Sequence, residues 1–344
     1  MDTEVGGNVS RNLFLYALGV YVVIPVVIFL LALIIFLYRK RINPPKELPP
    51  FYLWILIIIY CCIFGSLSIS KYLSLNTTIF DLGIFDHFIW NIINRGKLKC
   101  LSLGHFRPIL GFYAFFYKFF PSAVSLIIVK NINIALSAVP LYYIAKEKLK
   151  SSYYPLLIIL IFFLYSPVEY NNLFDFHTDH LIILLMFLAF YFLEKKKPLC
   201  FFLVCLPALF LKEPLILSIA MMGAYAIVHH KMYKSGSFIL AGSLIFFFLV
   251  INIIIPWVSG AKYYKVLSNK GAFSYLGKDV FQIIKTIFSH PLLVLKEIIN
   301  VWKIGYLVFI FLPLMFIPFF SPICLLPAIP APLLRAENHR SLTP

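Results

Sequence analysis

The sequence predicts an all-α protein held in a membrane by several helices. Hydrophobic residues make up 62% of its 344 positions and charged residues only 13%, whereas a soluble domain has about 45–50% apolar and about 25% charged residues. The mean hydropathy is +0.92. Apolar runs long enough to cross a bilayer are separated by short basic clusters. A net charge of +16 would suggest nucleic acid in a soluble protein. Here the lysines and arginines sit in loops between apolar runs, where they set membrane orientation. Membrane lipids are therefore the expected partners, and no nucleic acid is. The six cysteines include no C-x-x-C pair, and Cys61, Cys62, Cys200, Cys205 and Cys324 lie within apolar runs as core thiols.

Three regions follow: residues 1–50, an extra N-terminal span and a cytoplasmic proline-rich linker; 51–330, the main transmembrane domain; and 331–344, an irregular tail suggesting a truncated or altered end. Leu13–Tyr38 is a retained span rather than a signal peptide, and Arg39, Lys40 and Arg41 place its end in the cytoplasm. The prolines of 43–50 break the helix. Tyr52–Ile69 returns outward, so the next segment is outside. There Ile84, Phe85, Phe88, Ile89, Ile92 and Ile93 recur at helical spacing, and Gly96 is placed to end the helix. This predicts an amphipathic interfacial helix. Residues 104–120 predict a second.

Residues 123–145 form a full span ending in the cytoplasmic cluster 146–150. Residues 154–167 lead outward to a polar stretch, 169–180. The apolar run 181–193 would reach only about 20 Å as a helix, short of the roughly 30 Å core. It is expected to extend back through 175–180, sinking those residues below the outer surface. Residues 198–211 and 215–228 flank Lys212-Glu213-Pro214, and 237–255 goes outward. The region 256–296 has no motif, and its Lys262, Lys265 and Lys270 suit either acidic lipid and phosphate contacts or a solvated loop. Residues 306–320 are the last apolar segment. The total is about eight to ten membrane helices plus interfacial ones.

Polar groups converge on the non-cytoplasmic face by topology alone. Asp81 at the start of the first interfacial helix is either a helix N-cap or a reactive carboxylate. Asp86, His105, Arg107, Asp175, His177, Lys212 and Glu213 could line a cavity or hold substrate. His105 and Arg107 also suit a packed imidazole and a headgroup anchor, and Lys212 and Glu213 a mutually neutralising structural pair. Asp175, His177, Asp179 and His180 are of the types that ligate a divalent cation, Mg²⁺ or Mn²⁺, although their spacing matches no closed zinc motif. His87 and the pair His229-His230 are not candidates. A cation could neutralise a phosphate leaving group, or a carboxylate could act as general base on an acceptor hydroxyl.

The ordered segments Phe-Asp-Leu-Gly-Ile-Phe-Asp-His (80–87), Gly-His-Phe-Arg-Pro-Ile-Leu (104–110), Val-Pro-Leu-Tyr-Tyr-Ile-Ala (139–145), Asn-Leu-Phe-Asp-Phe-His (172–177) and Leu-Lys-Glu (211–213) resemble the predicted membrane proteins of domain-of-unknown-function family two-thousand-and-seventy-nine, over about 52–330. That family is similar to the GT-C membrane glycosyltransferases, in which an acidic residue follows the first core span. Asp81 matches that place, and Gly96 and His105 match a helix-ending glycine and a His-x-x-Pro-type segment. The resemblance implies a polyprenyl-phosphate sugar donor, transfer on the outer face, and inversion at the sugar carbon. Where the family pattern has an acidic residue before the histidine, proline and glutamate at 178 and 179, and aspartate at 214, this chain has Gly104, Thr178, Asp179 and Pro214. The rival readings are a transporter or flippase whose buried charges form an ion or lipid-phosphate path, and a non-catalytic protein of the same fold.

Overall fold

The computed structural model describes residues 48–102, 105–259 and 301–330, with a few positions between 282 and 290. The predicted span 13–38, most of the region 256–296 and the tail 331–344 lie outside these residues. Every regular element among the described residues is helical. The chain is an all-α membrane protein.

Helix α1, Phe51–Leu73, follows the proline pair at 49–50, which suits a helix start because proline lacks the N–H that would be orphaned there. A π-turn, Ile79–Gly83, leads into α2, Ile84–Arg95. Gly96 closes α2 in the left-handed region, with φ 59°, a conformation glycine adopts without steric penalty. Within the segment 104–120 lies a helix, α3, Leu110–Phe119. Next come α4, Ala123–Leu136, whose N-cap Ser122 accepts from the Val124 N–H at 3.2 Å, and α5, Ala138–Leu149. Then α6, Tyr153–Phe163, and α7, Ser166–Leu173, meet at a 51° bend. After a 3₁₀ turn, Thr178–His180, follow α8, Leu181–Glu194, α9, Pro198–Ala208, and α10, Glu213–Val228. Finally α11, Tyr233–Leu249, continues through a π-turn to Ser259, and α12 is Val301–Phe311.

Three described helices are long and apolar enough to cross a bilayer, Phe51–Leu73, Ala123–Leu149 and Tyr233–Val258, and the bent pair α6–α7 would make a fourth. Other apolar segments fall short in length because prolines and polar residues break them, as Pro198–Ala208 and Glu213–Val228 do. On α1, Trp54, Ile55, Ile58, Ile59, Ile63 and Leu67 are each 40% or more exposed. In a membrane that face meets lipid tails, which solvate it as well as a protein core would.

One apolar core packs α1 against α4 to α7, and another packs α8 to α11. A third joins α2, α3 and α4 around Phe176. Helices α10 and α11 approach at Gly223 and Gly236. A Cβ added to Gly223 would lie 2.6 Å from the Leu240 nitrogen and 2.8 Å from the Gly236 carbonyl oxygen.

The structure departs from the expected helix through 175–180. Phe174 and His177 have extended backbone, and only the short 3₁₀ turn precedes α8. The local reason is that side chains and carbonyls of this stretch bond to other elements instead of to the turn before them.

Candidate functional site

The site forms where the chain leaves α1 and where α7 ends. The last carbonyls of a helix have no partner within it, and α7 ends among buried neighbours. Two lysines meet that end. Lys130 of α4, only 1% exposed, donates to the carbonyls of Asn172 and, at 2.7 Å, Phe174. Lys71 of α1 donates to the Leu173 carbonyl at 3.2 Å. Ser68 adds a 3.4 Å bond to the Asn172 carbonyl, and the Asn172 amide donates to the Tyr60 hydroxyl at 2.9 Å. The cations also oppose the negative end of the helix dipole. The segment 174–177 thus departs from a fixed anchor.

Asp175 is the next link. Its Oδ1 accepts from Lys71 at 2.8 Å, and its Oδ2 accepts from the Thr78 N–H at 2.7 Å and the Thr78 hydroxyl at 2.9 Å. Burial pushes this carboxyl up, but the bonds from Lys71 and Thr78 outweigh it and hold the pKa below its ordinary value. The Thr78 hydroxyl also lies 3.1 Å from Asp81 Oδ2. Having one proton, it serves Asp175 and Asp81 alternately.

Asp81 is no helix N-cap, because Gly83 precedes α2 and no side chain caps it. Its Oδ1 lies 3.2 Å from His177 Nε2, while His177 Nδ1 lies 3.4 Å from the Asp175 carbonyl oxygen. With both nitrogens facing acceptors, the ring is fully satisfied only when doubly protonated. Burial opposes that and holds the His177 pKa below its ordinary value, while Asp179 and Asp81 pull the other way. A carboxylate and an imidazole so balanced can hold and pass one proton.

Cations flank this pair. Lys212 Nζ is 3.4 Å from Asp179 Oδ2. The Arg107 guanidinium lies 4.9 Å from the centre of the Phe85 ring, which packs 5.2 Å from His177. Burial raises the Asp179 pKa, but the charges around it, Lys212 first and then Arg107, bring it below its ordinary value. Glu213, 2% exposed at the first position of α10, accepts from His105 Nδ1 at 2.5 Å and from the Phe106 N–H at 3.1 Å. The Ile109 N–H donates to the Phe210 carbonyl at 3.1 Å, and these bonds fix the 105–109 segment against the start of α10.

A profile of the predicted membrane protein family DUF2079 matches residues 71–341. The chain belongs to the DUF2079 family. No curated protein and no solved structure matches it. In this DUF2079 protein the structure brings Asp81, His177, Asp179, Lys212 and Arg107 into one neighbourhood and ties His105 to Glu213 beside it. Asp86 is engaged elsewhere, accepting from the Tyr117 hydroxyl at 2.8 Å and thereby tying α2 to α3.

The four residues of the expected cation set do not form one coordination shell. Both Asp175 oxygens are engaged by Lys71 and Thr78, and His180 turns its Nε2 to the Asp175 carbonyl at 3.3 Å. Among the described residues, the group of three or more whose ligand atoms converge is Glu194, His229 and His230. Burial holds His180 neutral, with Lys130 adding to the effect, and its pKa falls to about 3.

The DUF2079 site also contains residues absent from the sequence-derived set. Lys71, Thr78 and Lys130 fix its geometry. A sequence signal existed for Lys130, because a cation in the middle of an apolar span is functional or structural by default. A cavity of about 380 Å³ with a mixed lining adjoins the site, where Tyr170, Asn171 and Tyr306 stand beside Val168, Phe174 and Phe309. The Phe174 ring is shared, lying 5.5 Å from the His177 ring.

Proposed function

We propose that this protein is a membrane glycosyltransferase of the GT-C kind, taking a sugar from a polyprenyl-phosphate donor on the non-cytoplasmic face. The observation that carries this reading is the Asp81–His177 pair, 3.2 Å apart, with Lys212 and Arg107 beside it. A carboxylate that can accept a proton next to cations that can hold a phosphate is what sugar transfer from a phosphate ester requires.

In this reading Asp81 accepts the proton of the acceptor hydroxyl. The acceptor oxygen attacks the anomeric carbon from the side opposite the phosphate, so the new C–O bond forms as the sugar–phosphate bond breaks and the configuration inverts. The phosphate leaves with the bonding pair, and Lys212 and Arg107 stabilise its charge. His177 returns the proton of Asp81 to solvent. Of the mixed lining beside Phe174, the side made by Val168, Phe309 and Ile310 would receive the first isoprene unit of the donor. Because the Asp175–His180 residues do not converge as ligands, no step is assigned to a metal.

The test uses the purified full chain with labelled polyprenyl-phosphate sugars, with and without Mg²⁺ or Mn²⁺. The reading predicts release of polyprenyl phosphate at the same rate in both conditions. It also predicts that Lys212→Met weakens use of the donor by about tenfold or more, the scale of one charge-assisted contact. Neither turnover nor binding across a broad donor panel would contradict it and favour a transporter or a non-catalytic protein.

A further inference from the structure

The far end of the molecule carries a second cluster, made by the turns after α8 and α10. Glu194 is the last residue of α8, and His229 and His230 follow α10. One ligand atom from each can be chosen so that all three lie within 4.8 Å of one another. A tetrahedral shell with bonds of about 2.1 Å places such atoms about 3.4 Å apart, a difference that side-chain rotations close.

The cluster is held from several sides. The His229 N–H donates to the Tyr225 carbonyl at 2.9 Å, and the turn closes when Met232 N–H donates to the Ala226 carbonyl at 3.0 Å. Between those bonds Lys231 adopts the left-handed region, φ 57°. The tight Gly223–Gly236 contact fixes α10 against α11 just before and after this turn. The Tyr225 ring stacks on His229 at 5.1 Å and meets His230 edge-on at 5.4 Å. A preformed site of this kind loses little side-chain freedom on binding.

The cluster also has unused capacity. His230 Nε2 is buried and has no hydrogen-bond partner among the described residues, which is costly unless something else occupies it. Glu194 gives one oxygen, Oε2, to Lys148 at 2.5 Å. A carboxylate has a second oxygen, so that bond does not consume its ligand capacity.

We propose that Glu194, His229 and His230 bind a transition-metal dication of the zinc class. The neighbouring charges select the kind of metal. Lys148 and the run Lys195, Lys196 and Lys197 repel any cation electrostatically, so a hard ion such as Mg²⁺ or Ca²⁺, which depends on carboxylate charge, is disfavoured. Imidazole nitrogens bind Zn²⁺, Co²⁺ or Ni²⁺ through bonds of more covalent character. Three protein ligands leave a fourth position, open to water at the exposed His229.

The test is titration of the tag-free full chain in detergent with Co²⁺, followed by its visible absorption, and with Zn²⁺, followed by calorimetry. One equivalent should bind with the visible band of a tetrahedral Co²⁺ centre. His230→Asn and Glu194→Gln should each weaken Zn²⁺ by about tenfold or more, and Mg²⁺ and Ca²⁺ should give no heat at the same concentration. Glu194→Gln keeps the side chain's shape, so it remains informative if a histidine variant fails to fold. Zn²⁺ binding that survives His229→Asn/His230→Asn, or a wild type with no Co²⁺ band, overturns the assignment.

Discussion

Asp81 is positioned by a relay. Lys71 holds Asp175, Asp175 shares the Thr78 hydroxyl with Asp81, and Asp81 faces His177. Lys130→Met removes the bonds to the Asn172 and Phe174 carbonyls. Ser68 still reaches the Asn172 carbonyl, but the Phe174 carbonyl loses its ammonium donor, so the protein should be destabilised by about 1–3 kcal/mol, the range for leaving a buried acceptor unpaired, and thermal melting in detergent checks it. A drop too small to measure would mean that water replaces the ammonium. The buried histidine gives a pH prediction of definite sign. His180 is neutral in the fold, with its pKa lowered to about 3, while in the unfolded chain it takes up a proton near pH 6.5. Its contribution to stability is therefore complete above about pH 6.5 and declines as pH falls from there toward 3. Asp175 and Asp179 are also lowered, so they withdraw stability only at more acid pH, below the ordinary carboxylate value. His180→Gln should flatten the melting-temperature profile between about pH 6.5 and 4, and an unchanged slope would contradict the assignment. The reactive residue types were legible in the sequence. Their pairings were not, because Asp81 meets His177, and His105 meets Glu213, only after distant helices pack.

At the scale of elements, hydrophobic periodicity marked α2 correctly, including its end at Gly96, since one glycine at positive φ settles that boundary. It failed between α7 and α8. An apolar run cannot reveal that residues 174–177 will be held extended by lysines from two other helices. Two substitutions test how the elements are fixed. Ser122→Ala removes the N-cap of α4 and should cost about 1 kcal/mol. Gly223→Ala drives a methyl group into the backbone of α11 at 2.6 Å and should cost about 1–3 kcal/mol or more, as overpacking does. Melting experiments on both variants give the comparison. A Gly223→Ala variant as stable as wild type would mean that α10 and α11 separate easily.

At the scale of the whole molecule, composition and apolar runs established an all-α membrane protein. The number of crossings was harder to read. Bends such as that between α6 and α7 divide an apolar run into short helices, and run length alone does not register them. Which face holds the site rests on the basic clusters at 146–150 and 194–197, which orient the site away from the cytoplasm in the proposed reading. In the proposed function Asp81 is the proton-accepting carboxylate of sugar transfer. The most direct measurement is single-turnover transfer from a labelled polyprenyl-phosphate sugar by wild type and Asp81→Asn, reconstituted in parallel in liposomes. The rate should be lower by about 10²–10⁴-fold in the variant, the usual contribution of a positioned general base, with donor binding retained. An Asp81→Asn protein that transfers sugar at the wild-type rate would contradict it.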